Sequence, residues 1–332
     1  MTEVLFRVDG GAQVGMGHIM EMLHLAEVFH HGYPVKPIFA IAKDEVAKQR
    51  VQQRGEEILE LPEESEIQFL SQICQRRGID KVILNLMEIP EGYLSALKQD
   101  GFSIVNLVEG IKDSISDYVI DFAERPEWMI LNPIFSRMGK RKEIHPDVDT
   151  LLVCFGASDP FGLTLRVTRL LCEQLSDKKI HVITGNAFKY SGDLEHLRSR
   201  FTNITLFHNL SVRRVAELML NASLAVTAGG DMMYELVALG IPAVVLCPSQ
   251  RQVMASALFH GRGIVHRLGL HTDVDDSTII YAVKKLQHDF EQRRKMSQRG
   301  KELMDGNGGT KVAKMISQFW RLGKNLKREV VK

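Results

Sequence analysis

The sequence predicts an α/β protein built from two doubly wound, parallel-sheet domains, and three observations carry that expectation. Short apolar runs alternate with amphipathic helical stretches along most of the chain. The connections between successive runs are long enough to hold a helix, so neighbouring strands should pair parallel through right-handed crossovers. The alternation breaks once, between Arg137 and Asp149, and then restarts. At 332 residues the chain is long enough for two cores of ordinary size.

Val4 to Val8 reads as a short buried strand, and Ile19, Met22, Leu23, Leu25, Ala26 and Phe29 then recur at helical spacing. Val35 to Ala42 is a second strand and Asp44 to Arg54 a charged helix, whereas Ile58 to Leu61 is too short to assign. Glu63 to Arg77 is helical, with acidic residues in its first turn and Arg76 and Arg77 in its last, which matches the macrodipole. Lys81 to Leu86 is a strand, Pro90 to Gln99 a helix with proline near its start, Phe102 to Leu107 a strand, and Asp117 to Phe122 closes the series. Arg137 to Asp149 has no apolar period and is the expected junction. The second series runs through strands Leu151 to Phe155, Ile180 to Thr184, Ile204 to Phe207 and Leu224 to Thr227, with helices Leu163 to Leu175, Leu194 to Phe201 and Val212 to Leu220 between them. A further helix opens at Asp231 and is stopped by Gly240 and Pro242 before the strand ending at Leu246, which leads into a polar loop, Cys247-Pro248-Ser249-Gln250.

Composition is that of a soluble globular protein, 45% hydrophobic and 25% charged. Forty-two Lys and Arg face 41 Asp and Glu, a net charge of +1 that gives no electrostatic case for nucleic acid as a partner. Cys74, Cys154, Cys172 and Cys247 form no CxxC pair, so no zinc or redox motif is expected, nor any other metal or cofactor. No secretory signal opens the sequence and no apolar run is long enough for an integral membrane segment, so a cytoplasmic location is expected.

Two stretches carry chemistry. Gly15-Met16-Gly17-His18 is a strand, glycine loop and helix start: free helix amides and the positive dipole end favour an anion, and His18 at the mouth is suited to general base work near neutral pH. The alternative is that His18 is a surface cap. Thr227-Ala228-Gly229-Gly230-Asp231-Met232-Met233-Tyr234-Glu235 repeats the geometry, and Glu235 could accept both hydroxyls of a ribose diol. Its alternative is a surface acid that merely complements the helix dipole. Ligands of open α/β sheets bind at the carboxyl edge, where both stretches and the Ser249-Gln250 loop would lie. His30-His31 reads as a solvated helix end rather than a metal pair, Met232-Met233 as packing, and the basic tail (Arg321, Lys324, Lys327, Arg328, Lys332) as a solvated helix end rather than a membrane-surface patch.

The combination of Arg7-x-Asp9, Gly15-x-Gly17-His18-Ile19-Met20, Phe155-Gly156-Ala157-x-Asp159-Pro160, Gly229-Gly230 to Glu235, Ala238-Leu239-Gly240-Ile241-Pro242, Gln250 and Asp305-Gly306-x-Gly308-Gly309 resembles a known family. It is that of the UDP-sugar hydrolases of pseudaminic acid synthesis and the related spore-coat polysaccharide proteins, similar in turn to the N-acetylglucosaminyltransferase of peptidoglycan synthesis. The resemblance implies two Rossmann-like domains facing across a cleft (GT-B type): 1–140 carrying the GxGH loop, 150–308 binding the nucleotide, and 309–332 as a final helix packing back across the junction. Val312, Ala313, Ile316, Phe319 and Trp320 would form that helix's apolar stripe.

It further implies hydrolysis of a UDP-linked amino or deoxy sugar, of the diacetamido-trideoxy-hexose type, to UDP and free sugar, with enzymes of the same pathway as the other partners it allows. His18 would be the base. Arg7, Asp9, Gly15, Gly17, Gly156, Asp159, Gly229, Gly230, Glu235, Ser249 and Gln250 would bind the substrate. A glycosyltransferase using the same donor is the alternative, and an inactive nucleotide-sugar-binding protein the second. The chain departs from the family at Glu21 (usually Arg), Ser249 (commonly Asn), Gly10-Gly11-Ala12, Val108-Glu109-Gly110 and Leu131 to Phe135, changes that surround the sugar rather than the nucleotide.

Overall fold

Each half of the alternating pattern closes into its own six-stranded, fully parallel sheet. The computed structural model describes residues 1–11, 15–110 and 112–322. The chain divides into two compact units, one comprising Met1–Ile130 together with the chain from Asn307 on, the other Leu131–Gly306. Both are Rossmann-like, as expected.

The first unit contains β1 (Thr2–Val8), α1 (Gly17–Gly32), β2 (Val35–Ile41), α2 (Glu45–Gln52), β3 (Glu57–Glu60), α3 (Glu66–Arg77), β4 (Lys81–Asn85), α4 (Tyr93–Gln99), β5 (Ser103–Val108) and β6 (Tyr118–Asp121). Their order across the sheet is β3-β2-β1-β4-β5-β6. Val4, Leu5, Phe6 and Val8 of the central strand are fully buried, because helices cover both faces of a parallel sheet. The unassignable stretch is the edge strand β3, whose residues are only half buried and therefore carry a weak apolar signal. Two helices start later than their sequences suggest: Ser65 and Gly92 take positive φ values of 63° and 77° immediately before α3 and α4.

The second unit contains α5 (Pro133–Gly139), β7 (Thr150–Cys154), α6 (Leu163–Gln174), β8 (Lys179–Thr184), α7 (Ser191–Arg200), β9 (Ile204–His208), α8 (Val212–Leu220), β10 (Leu224–Thr227), α9 (Asp231–Leu239), β11 (Ala243–Cys247), α10 (Gln250–Ala255), α11 (Ala257–Gly261), β12 (His266–Leu270), α12 (Asp276–His288) and α13 (Phe290–Leu303). The sheet order is β12-β11-β10-β7-β8-β9.

The stretch from Arg137 to Asp149 is not a free linker between the units. It lies inside the second, whose boundary falls earlier, between Ile130 and Leu131. Asn132 caps α5 by accepting from the Ile134 amide at 3.0 Å, and α5 packs on α8 and α9. Lys142 Nζ donates to the carbonyls of Leu220 (2.8 Å) and Ala222 (2.7 Å), at and just past the end of α8. Arg293, fully buried on α13, donates to the carbonyls of His145 (2.9 Å) and Pro146 (2.5 Å) as well as to Leu286 and Gln287 (both 2.6 Å). Side chains reaching backbone acceptors hold this segment, and such bonds leave no periodicity to read.

After the second unit the chain returns to the first as α14 (Gly308–Leu322), which packs on α1. Val312, Ala313 and Ile316 are fully buried, Phe319 stacks against Tyr118 at 5.3 Å, and Trp320 is half-buried. Lys324, Lys327, Arg328 and Lys332 of the basic tail lie outside the described residues. Replacing Ile316 by Ala removes a fully buried side chain from this seam and should cost about 2–5 kcal/mol. Urea unfolding followed by circular dichroism measures it, and a midpoint equal to wild type would mean that α14 does not cover the first unit's core.

Candidate functional site

In both sheets the strand order reverses once, between β1 and β4 and between β7 and β10, and loops leaving the two strands there run in opposite directions. Each informative stretch of sequence sits at such a point.

In the first unit, Asp9 to Met16 leave β1. Gly11 and Gly15 bridge to each other through both amides, at 2.9 and 3.0 Å, closing a narrow loop whose residues 12–14 lie outside the described residues. Gly15 has φ +88°, a conformation that favours glycine, and its amide is engaged by Gly11. It shapes the loop rather than offering an amide to a ligand. Gly17 opens α1, whose first amides have no side-chain cap. His18, in the first turn and half-buried, has Nδ1 3.3 Å from the Asn85 carbonyl at the end of β4. Asn85 Nδ2 in turn donates to Glu21 Oε2 at 2.7 Å.

Arg7 and Asp9, expected among the substrate-binding groups, bond each other and Glu66. Arg7 is 5% exposed and gives Nε and Nη2 to Glu66 at 2.7 and 3.1 Å and Nη1 to Asp9 at 2.5 Å. Asp9 also accepts from the Ala42 amide at 3.2 Å, and Tyr93 donates its hydroxyl to Glu66. Three of the guanidinium's donors are thus on protein carboxylates, which ties the end of β1 to α3.

In the second unit Gly156 follows β7, and Gly229 and Gly230 follow β10. Thr227 Oγ1 donates to the Cys154 carbonyl at 2.7 Å and ties the two strand ends together. A Cβ at Gly229 would lie 2.8 Å from the Gln252 carbonyl oxygen and 3.0 Å from Cys247 Sγ, so α10 packs directly on this glycine. Gly230 precedes α9 with no side-chain cap, which leaves the first amides of that helix for an anion.

Asp159 does not share this role. It is 3% exposed with φ +38°, and its carboxylate accepts from the amides of Leu163 (3.1 Å) and Thr164 (2.6 Å), so it occupies the start of α6 itself. Ser249 and Gln250 are exposed at the end of β11, one strand beyond the reversal. Gln250 is helical rather than part of a loop: Pro248 suggests a turn, but Ser249 caps α10 by accepting from the Gln252 amide at 3.4 Å.

Glu235 lies on the second turn of α9. Among the described residues no protein donor reaches its carboxylate. Burial, reinforced by the negative charge of Asp231, pushes its pKa up to about 8. Burial likewise pushes the Cys154 thiol up to about 12, with Glu235 and Asp159 adding to it. Both acids are thus within electrostatic range of the end of β7. The structure therefore gathers Gly156, Asp159, Gly229, Gly230 and Glu235 around one strand reversal, and Arg7, Asp9, Gly15, Gly17 and His18 around the other.

Sequence reasoning did not single out Asn85, Thr227 or Gln252 as contributors. Their only signal is position, at or just beyond the ends of β4, β10 and β11. The remaining candidates have local partners. His30 pairs with Glu56 (2.8 Å), His31 bonds the Glu27 carbonyl (2.7 Å), and Met233 is fully buried in packing. Among the described residues, no group of three or more His, Cys, Asp or Glu could hold a metal ion, and no helix is long and apolar enough to cross a membrane.

No protein-family model matches the chain. Its sequence is similar to the spore coat polysaccharide biosynthesis protein SpsG of Bacillus subtilis, at 24% identity over 94% of this chain and 97% of that protein, so the resemblance to the spore-coat polysaccharide proteins holds. Among solved structures, MurG of Acinetobacter baumannii superposes with a TM-score of 0.69 (11% identity, 96% of this chain, 100% of the other). The S. aureus MnaA–UDP co-structure does so with a TM-score of 0.70 (14% identity, 97% and 98%). The fold is therefore that of the GT-B proteins, two Rossmann-like domains in one chain.

A folded-state pKa raised above the unfolded value near 4.5 means that the folded chain holds the proton longer. The corresponding stability is fully present below the unfolded value and is lost as pH rises through about 8. Glu235→Gln cannot ionise, so its melting temperature relative to wild type should climb with pH and level off above that value. Calorimetric scans of both proteins from about pH 5 to about pH 9 bracket the change. A constant difference would mean that the carboxylate is already ionised in the folded protein.

Proposed function

We propose that the chain binds a UDP-sugar and hydrolyses it to UDP and free sugar, with His18 as the base. The observation that carries the nucleotide half is Glu235: a carboxylate set deep enough to shift its pKa, with no protein donor among the described residues, one turn behind uncapped helix amides. A ribose diol supplies two donors to such a group, and a diphosphate supplies the anion that the amides at Gly230 favour. The similarity to a polysaccharide biosynthesis protein, and the likeness in fold to a protein solved with UDP, support the same class of ligand.

The chemistry asks little of the protein. UDP is a good leaving group, so the groups needed are a base to take the proton from water as its oxygen attacks the anomeric carbon, and donors for the charge that collects on the departing phosphate. His18 serves as the first and the α9 amides as the second. Binding also draws Glu235 towards its ionised form, since the hydroxyls of the diol donate to the carboxylate.

Incubation with a panel of UDP-sugars, with and without an alcohol acceptor, tests the reading through release of free UDP. Release with water alone supports hydrolysis, release only with acceptor makes the protein a glycosyltransferase, and binding without release makes it a nucleotide-sugar-binding protein. His18→Asn should lower UDP release about 10²- to 10⁴-fold and leave UDP affinity nearly unchanged. Glu235→Ala should weaken UDP binding about 10- to 100-fold, as for a lost hydrogen bond to a charged group, in titrations with or without Mg²⁺. UDP affinity unaffected at Glu235, or His18→Asn turnover equal to wild type, would refute the corresponding assignment.

A further inference from the structure

Asn85 joins the end of β4 to the first turn of α1 at two points. Its carbonyl lies 3.3 Å from His18 Nδ1, and its side-chain amide donates to Glu21 Oε2 at 2.7 Å. His18 and Glu21 are three residues apart on α1 and so share a face of the helix. Asn85 itself is 3% exposed and pairs with Val8 in the sheet register. A carbonyl oxygen only accepts, so the His18 nitrogen facing it is the one that bears the proton. In a neutral imidazole the other nitrogen, Nε2, then carries the lone pair. The bond from the Asn85 side chain to Glu21 adds a second tie between the end of β4 and the first turns of α1.

We propose that Asn85 and Glu21 are positioning residues for His18. The Asn85 carbonyl fixes the ring as the Nδ1–H tautomer, which makes Nε2 the atom that takes the proton, and Glu21 holds Asn85 in place. The proposal rests on the reading of His18 as the base, but the tautomer is a property of the free protein and can be observed without substrate. In the reaction the proton of water passes to Nε2 as the water oxygen bonds the anomeric carbon. The bond from that carbon to the diphosphate oxygen breaks, and its electron pair leaves on UDP. The imidazolium keeps its Nδ1–H on Asn85 and releases the Nε2 proton to solvent. The opposite tautomer would present an N–H to the water and could not accept from it; in a serine-protease triad, holding the wrong tautomer costs about 10⁴ in turnover.

Long-range ¹H–¹⁵N correlation spectra of the full-length labelled protein identify the protonated nitrogen of neutral His18, with His18→Asn providing the assignment. Wild type should show the proton on Nδ1. Glu21→Ala should divide it between the two nitrogens and lower kcat roughly tenfold or more with little change in KM. Glu21→Gln keeps an oxygen that accepts from Asn85 Nδ2 and should restore both the tautomer and most of the rate. Wild type protonated on Nε2, or Glu21→Ala with the wild-type tautomer, overturns the proposal; if Glu21→Ala does not fold, the wild-type spectrum and Glu21→Gln still decide it. If no UDP-sugar releases UDP but the tautomer shifts as described, the hydrolase reading fails and the positioning of His18 stands.

Discussion

The single constraint behind both sites is the handedness of the crossover between parallel strands. Successive right-handed connections build a sheet outwards from its first strand, and covering both faces requires the chain to return to that strand and build the other way. In the first unit the return lands β4 beside β1, and in the second it lands β10 beside β7. At each landing two loops diverge and leave strand-end carbonyls and helix-start amides facing a gap. Glycines, His18 and Glu235 have chemistry to offer because the topology opens a space in front of them.

The two gaps are finished differently. In the first, polar groups bond one another: Arg7 bridges Asp9 and Glu66, and Asn85 bonds both His18 and Glu21. In the second, Asp159 satisfies the start of α6 while the start of α9 is left uncapped, with Asp231 and Glu235 nearby. Burial raises the pKa of Glu235, and the negative charge of Asp231 at the same helix start adds to the effect. The first gap is thus lined by polar groups bonded to one another, whereas the second presents an uncapped helix start beside an acid whose pKa is raised.

Much of the fold was legible because parallel strands buried on both faces are plain apolar runs, and the helices between them carry a clear period. What escaped reading lacked that contrast. The half-exposed edge strand β3 was ambiguous, the stretch after Gln250 was not divided into elements, and α5 lay unrecognised beside a junction that Lys142 and Arg293 hold through backbone carbonyls. Both glycine loops could be located from sequence, yet the roles within them could not be separated. Asp159 accepts from the amides of its own following helix, and Arg7 is bonded to Glu66, 59 residues away, contacts that no local pattern announces.

The return of α14 to the first unit has a consequence for synthesis. The strands of that unit leave the ribosome before those of the second, but the helix that covers α1 is encoded after the whole of Leu131–Gly306. Until it arrives, the nascent first unit shows the apolar ground on which Val312, Ala313, Ile316 and Phe319 will later settle. Its completion must wait until α14 has been made, and a chain stalled or truncated before that point is the form that chaperones and proteases would meet.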